Sequence, residues 1–141
     1  MQLRITSSLL SAVLQARAWH GGGRQAADVP ALVRLLTGDA VLEMPPVPLW
    51  YRSSRDYGLF MRRVFETRGT GWGTRHLTAN GQPALAAYAP EPGGGHRLHT
   101  LQVFTVTGGR VARNVVFADP GVFRAFGLPG RVSFGDFRHA R

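Results

Sequence analysis

The sequence contains no cysteine and no lysine. Without thiols there is neither a disulfide framework nor thiolate chemistry. All seventeen basic residues are arginine, set against eight acids for a net charge of +9. Arginine used exclusively, beside abundant alanine, glycine and valine, is the usage of a GC-rich genome. A charge of this sign raises nucleic acid as a partner. Yet the arginines are scattered, apart from a denser zone holding Arg52, Arg55, Arg62, Arg63 and Arg68. No basic run interleaves with aromatics, and there is no phosphate loop, nucleotide fingerprint or nucleophile–base pair. The arginines therefore read as a solvated basic surface, and no specific nucleic-acid partner is expected. No apolar run reaches the roughly 18–20 residues of a membrane span, so no membrane partner is expected. Residues 1–18 carry Arg4 and an apolar middle, but Thr6, Ser7, Ser8 and Ser11 interrupt it. That pattern suits an amphipathic helix as well as a signal peptide, and a cytoplasmic protein is expected.

What is present is one domain's worth of chain, 141 residues, long enough to bury a core. Four segments rich in valine, threonine, tyrosine and phenylalanine read as strands: Trp72–Asn80, Pro83–Ala89, Arg97–Thr107 and Val111–Ala118. Asn80-Gly81 and Gly108-Gly109 supply the positive φ angles of two-residue hairpin turns. The link Pro90–His96, with three successive glycines, reads as a loop. This is an antiparallel meander. Ahead of it, apolar spacing predicts a helix over Ile5–Trp19, and a second capped by Asp28, with Val29, Leu32, Val33 and Leu36 inward and Gly38 closing it. Ala40–Met44 reads as a short strand ending at Pro45-Pro46. Ser53 and Asp56 form a capping box for a third helix that turns Tyr57, Phe60, Met61, Val64 and Phe65 inward and Arg62, Arg63 and Glu66 outward. Asp119-Pro120 caps a last short helix over Gly121–Phe126 that Gly127-Leu128-Pro129 stops. Residues 131–141 read as a tail outside the domain of residues 1–130.

The turn at Gly108-Gly109 sets Thr105 opposite Ala112, Val103 opposite Asn114, Leu101 opposite Val116 and His99 opposite Ala118. One face of this hairpin then carries His99 and Asn114 among small and apolar residues. The other carries Leu98, Phe104, Val106, Val111, Val115 and Phe117. That second face is too apolar for water, which predicts a two-fold homodimer through the sheet.

Helices followed by a curved meander make an α+β cone with an interior pocket. The order is similar to the SnoaL-like (nuclear transport factor 2-like) cone of ketosteroid isomerases, limonene epoxide hydrolases and polyketide cyclases. The local text is more specific. Asp39-Ala40-Val41-Leu42 into Met44-Pro45-Pro46, Pro48-Leu49-Trp50-Tyr51-Arg52, Ala79-Asn80-Gly81-Gln82-Pro83-Ala84, Leu101-Gln102-Val103, Phe117-Ala118-Asp119-Pro120 and Ala125-Phe126-Gly127-Leu128-Pro129 resemble the SnoaL-like C-terminal domain of actinobacterial extracytoplasmic-function sigma factors. Ser11–Ala18 faintly resembles the end of the sigma promoter-reading domain.

The resemblance implies that the His99/Asn114 face lines the cavity. It also implies that Met44 stands where the steroid isomerases hold their base, and Val116 where the epoxide hydrolases hold an aspartate. Neither proton shuttle is carried by these residues. Glu43 is the nearby acid, and alternation points it away from Met44. His96 and His99 fall on opposite faces of a strand, so no metal pair is expected, and no cofactor is called for. Asn114 and His99 are then the candidate catalytic residues. Trp50, Tyr51, Tyr57, Phe60, Met61, Met44, Tyr88, Leu101, Val103 and Val116 are the candidate substrate-binding residues for an apolar small molecule. Two functions stay open. One is a stand-alone enzyme guiding a cyclisation or isomerisation in secondary metabolism, by shape and a few hydrogen bonds. The other is a non-catalytic ligand-sensing or sigma-modulating domain. Neither reading needs DNA contact. Binding to duplex DNA in a mobility-shift assay should disappear between low and physiological salt and show no sequence preference.

Overall fold

The computed structural model describes residues 18–20, 24–26, 29–46, 50–68 and 72–133. The expected helix over Ile5–Trp19 lies outside these residues except at its end. There Ala18–His20 (β1) pairs antiparallel with Arg24–Ala26 (β2). Helix α1, Val29–Arg34, buries Val29 and Leu32, while its proposed cap Asp28 lies outside the described residues. It ends earlier than expected. The Leu35 carbonyl accepts from the Val111 amide at 2.8 Å, and Leu36 already pairs with Val111. Gly38 therefore sits inside strand β3, Leu36–Glu43, rather than closing a helix.

Strand β4, Trp50–Arg52, pairs antiparallel with β3, and Ser53 leads into helix α2, Ser54–Arg68. The Asp56 amide donates to Ser53 Oγ at 3.2 Å, one half of the expected capping box. The other half is missing because the Ser53 amide donates to the Ala40 carbonyl at 2.9 Å, tying the helix start to β3. Gly58, in the helix interior, is explained by packing. A Cβ there would lie 2.6 Å from Val33 Cγ2, so glycine permits the close approach of α1 and α2.

The meander follows as β5 (Gly73–Ala79), β6 (Gln82–Pro90), β7 (His96–Thr107) and β8 (Arg110–Phe117). Both turns carry positive φ, 53° and 77° at Asn80-Gly81 and 58° and 78° at Gly108-Gly109. The sheet order is β4-β3-β8-β7-β6-β5, with β3 and β8 parallel. Helix α3, Pro120–Ala125, starts at Asp119, whose carboxylate accepts from the Gly121 amide. Beyond it, Arg131–Val132 (β9) pairs with His96 and Arg97, on the edge of β7 that β8 does not reach. The fold thus extends past residue 130, and Val132 is buried.

Two bulges decide which residues face inward. Near the Gly108-Gly109 turn the expected register holds, Thr107 with Arg110 and Val106 with Val111. Ala112 is then an extra residue on β8, so Thr105 meets Arg113, Phe104 meets Asn114 and Gln102 meets Val116. A one-residue slip exchanges faces along β7. Phe104, Val106 and Val111 therefore join the interior cluster with Leu36, Leu42, Leu85, Ala87 and Tyr57, not an outer face. Leu98 packs with Tyr88 and Val132, and Phe117 with Val122 and Phe123 of α3, so the outer face is partly covered. The apolar patch from which a dimer was expected is therefore not the continuous one that the sequence suggests.

The corrected register makes a discriminating prediction. Phe104→Ala should lower unfolding free energy in denaturant titration by about 3–5 kcal/mol, the cost of emptying a core aromatic site. A surface phenylalanine would cost far less.

Candidate functional site

The concave face of the sheet and one side of α2 enclose a cavity of about 370 Å³. Leu42, Met44, Ala87 and Val116 contribute its sheet wall, Phe60, Met61 and Val64 its helix wall, and Trp72 closes one side. The lining is mostly apolar. Among the described residues its polar groups are His99, Thr100, Gln102 and Asn114 on the sheet, and Arg63 and Thr67 on α2.

Asn114 is 1% exposed and organises these groups. Its Nδ2 donates to Tyr57 Oη at 2.7 Å and to Gln102 Oε1 at 2.9 Å. Gln102 Nε2 in turn donates to Thr100 Oγ1 at 3.1 Å. Asn114 Oδ1 is buried with no hydrogen-bond partner. Exchanging O and N of both amides would let Oδ1 accept from Tyr57 and Gln102, but would strand the Asn114 amide hydrogens instead. Either way a cavity-lining amide keeps unused hydrogen-bonding capacity. Burial pushes the Tyr57 phenol up to about 12, with the Asn114 bond acting in the opposite direction. Tyr57 is thus a neutral hydroxyl across the physiological range.

His99 reaches the cavity through the second bulge. Tyr88 pairs with Leu98 and Ala87 with Thr100, leaving His99 as the extra residue. His99 and Thr100 therefore both line the cavity. Its ring meets Trp72 edge-on, with centroids 5.1 Å apart. His96 sits near Val132 on the other side of the strand. Among the described residues no group of three or more histidines, aspartates or glutamates could hold a metal ion.

The sequence-selected residues divide clearly. Asn114, His99, Met44, Phe60, Met61 and Val116 line the cavity, and Tyr57 supports Asn114 from beneath. Tyr51 stacks on Phe60 at 4.8 Å rather than lining the space. Trp50 is 55% exposed and belongs to a groove on the opposite face of the sheet, with Arg52 over its ring. Leu101, Val103 and Tyr88 are corrections: the slip along β7 puts the first two on the outer face. Tyr88 follows them and donates to the Pro129 carbonyl at 2.9 Å. Glu43 is ion-paired with Arg113 at 2.6 Å on that outer face, away from the cavity. Missed by sequence reasoning were Gln102, Thr100 and Arg63. Alternation would have found the first two only if the bulges had been known.

Comparison with known proteins agrees with this fold. The SnoaL-like domain profile matches residues 16–114. The chain belongs to the SnoaL-like domain family. The extracytoplasmic-function RNA polymerase sigma factor SigG of Mycobacterium tuberculosis is 35% identical over 106 residues, which are 74% of this chain. This SnoaL-like chain spans only 28% of that relative's length. The crystal structure of the M. tuberculosis sigma factor SigJ superposes with a TM-score of 0.61 at 20% identity, covering 91% of this chain and 46% of that one. An LEH-like epoxide hydrolase from M. tuberculosis gives 0.57 at 19% identity, covering 89% and 86%. At these identities the structural likenesses establish the SnoaL-like fold alone. No helix among the described residues is long and apolar enough to cross a membrane.

Tyr57 supplies a test of the network. A phenol whose folded pKa lies above its unfolded value of 10.0 stabilises the fold fully below that value and stops doing so as pH rises towards 12. Alkaline denaturation between these limits should be partly relieved in Tyr57→Phe, and ultraviolet titration should lose its latest phenol step. At neutral pH the same variant should cost about 1–3 kcal/mol, because a buried Asn114 donor loses its acceptor.

Proposed function

We propose that this SnoaL-like cone binds a largely apolar small molecule and anchors it on Asn114. The observation that carries this reading is a buried amide with unused hydrogen-bonding capacity, set in an otherwise apolar cavity of about 370 Å³. Such pockets, mostly apolar with a few convergent polar groups, are the usual form of small-molecule sites. The chemistry they support is orientation. Met44 and Val116 are apolar, and no carboxylate is among the described residues that line the cavity, so the polar chemistry on which this reading rests is that of an amide and an imidazole. A bound metabolite would be folded by the walls, held at one polar group by Asn114, and met by His99 as donor or acceptor according to its tautomer. Isomerisation or cyclisation of an activated substrate is the reaction class that this supports.

A second reading is favoured by the similarity to SigG. In it the cone senses a ligand and modulates a sigma factor without turning the ligand over. Both readings require the same cavity, and they separate on turnover.

Thermal-shift screening against apolar metabolites tests the shared part. A ligand found this way should bind about five- to tenfold more weakly to Asn114→Ala, the loss of one hydrogen bond. If the protein is an enzyme, Asn114→Ala or His99→Ala should slow turnover by about a hundredfold or more. Full affinity and turnover in both variants, with normal circular dichroism, would place the polar anchor elsewhere. Binding without any turnover selects the sensing role.

A further inference from the structure

The cavity's charge is one-sided. Among the described residues that line it, Arg63 is the one permanently charged side chain, and no described aspartate or glutamate joins it. Six acids fall within the described residues, and each is placed away from the lining. Glu43 pairs with Arg113, and Glu91 with Arg97 and Arg131. Asp119 caps α3, Asp39 accepts from Thr37 and Asp56 lies in the first turn of α2. Glu66 lies one turn from Arg63 on α2, yet no salt bridge joins them. Arg63 is exposed, as is Thr67 four residues on, while Phe60, Met61 and Val64 between and beside them are half-buried. Residues four apart share a helix face, so the guanidinium and the hydroxyl form one polar rim above an apolar wall.

We propose that the ligand is an amphipathic anion, an apolar body carrying a carboxylate or a comparable acidic group that Arg63 receives at the cavity rim. This rests on the reading of the cavity as a small-molecule site. A planar guanidinium offers paired donors matched to a carboxylate, and Thr67 adds a further donor. An alkylammonium ligand would instead meet Arg63 with no acid among the described lining residues to offset it. The apolar body fills the space between α2 and the sheet, and a hydrogen-bonding group on it meets Asn114 on the facing wall.

The test uses three probes of one shape on the whole chain by titration calorimetry at low salt: 2-naphthylacetate, 2-(2-naphthyl)ethanol and 2-(2-naphthyl)ethylamine. The anion should bind about three- to tenfold more tightly than the alcohol, and the amine most weakly. Arg63→Met keeps the apolar stem and should remove the anion's advantage over the alcohol, lowering the anion's affinity much more than the alcohol's. Arg62→Met, altering the neighbouring exposed arginine that does not line the cavity, should change neither. Equal binding of alcohol and anion to the wild type overturns the anion proposal and leaves the cavity reading standing. So does an anion preference that survives Arg63→Met or is equally lost in Arg62→Met. If none of the three binds, the cavity reading falls and this proposal with it.

Discussion

A buried amide left without hydrogen bonds costs more than most single contacts return, and the interior of this cone is arranged around the partners that the Asn114 amide finds. Asn114 sits in β8 between β3, which pairs with it in parallel, and β7, which pairs with it antiparallel. Its Nδ2 reaches across to α2 through Tyr57 and along the sheet to Gln102. One side chain thus ties the helix to the two strands at the centre of the sheet. The same placement gathers Gln102 and, through it, Thr100 into one polar patch on a sheet wall whose leucine, valine and methionine side chains offer no hydrogen bonds.

The cavity itself depends on irregularity. A regular β7–β8 pairing would have turned Val103 and Leu101 inward and put Phe104 and Gln102 outside. Ala112, inserted beside Arg113 on the outer face, reverses this and brings Phe104 into the core and Gln102 to Asn114. The bulge at His99 then restores that histidine to the cavity, next to Thr100 rather than opposite it. Bulges of this kind also bend and twist a sheet, so the same two residues that choose the lining help to curve the wall.

The described lining of the cavity is mostly apolar. Its sheet wall ends in Met44 and Val116, its phenol is held neutral by burial, and its charge is an exposed arginine at the rim. The described polar groups of the lining are two amides, two threonine hydroxyls, one imidazole and one guanidinium. Function follows the side chains grafted on a fold rather than the fold itself.

Much of this architecture was legible in the sequence because its determinants are local. Asn80-Gly81 and Gly108-Gly109 dictate their turns through positive φ, strand-forming residues bound the meander, and Ser53 and Asp119 mark helix starts through their own side chains. The pocket residues of α2, Phe60 and Met61, followed from helical spacing. What only the tertiary structure decided is everything that depends on a partner strand. The parallel pairing of β3 with β8 ended α1 early and drew Gly38 into a strand. Val132 was secured by the free edge of β7. Above all, the faces of Leu101, Val103 and Phe104 turned on one inserted alanine. Side chains alternate with a period of two, so every residue beyond a bulge changes sides, and Ala112 carries no local sign that it is the extra one.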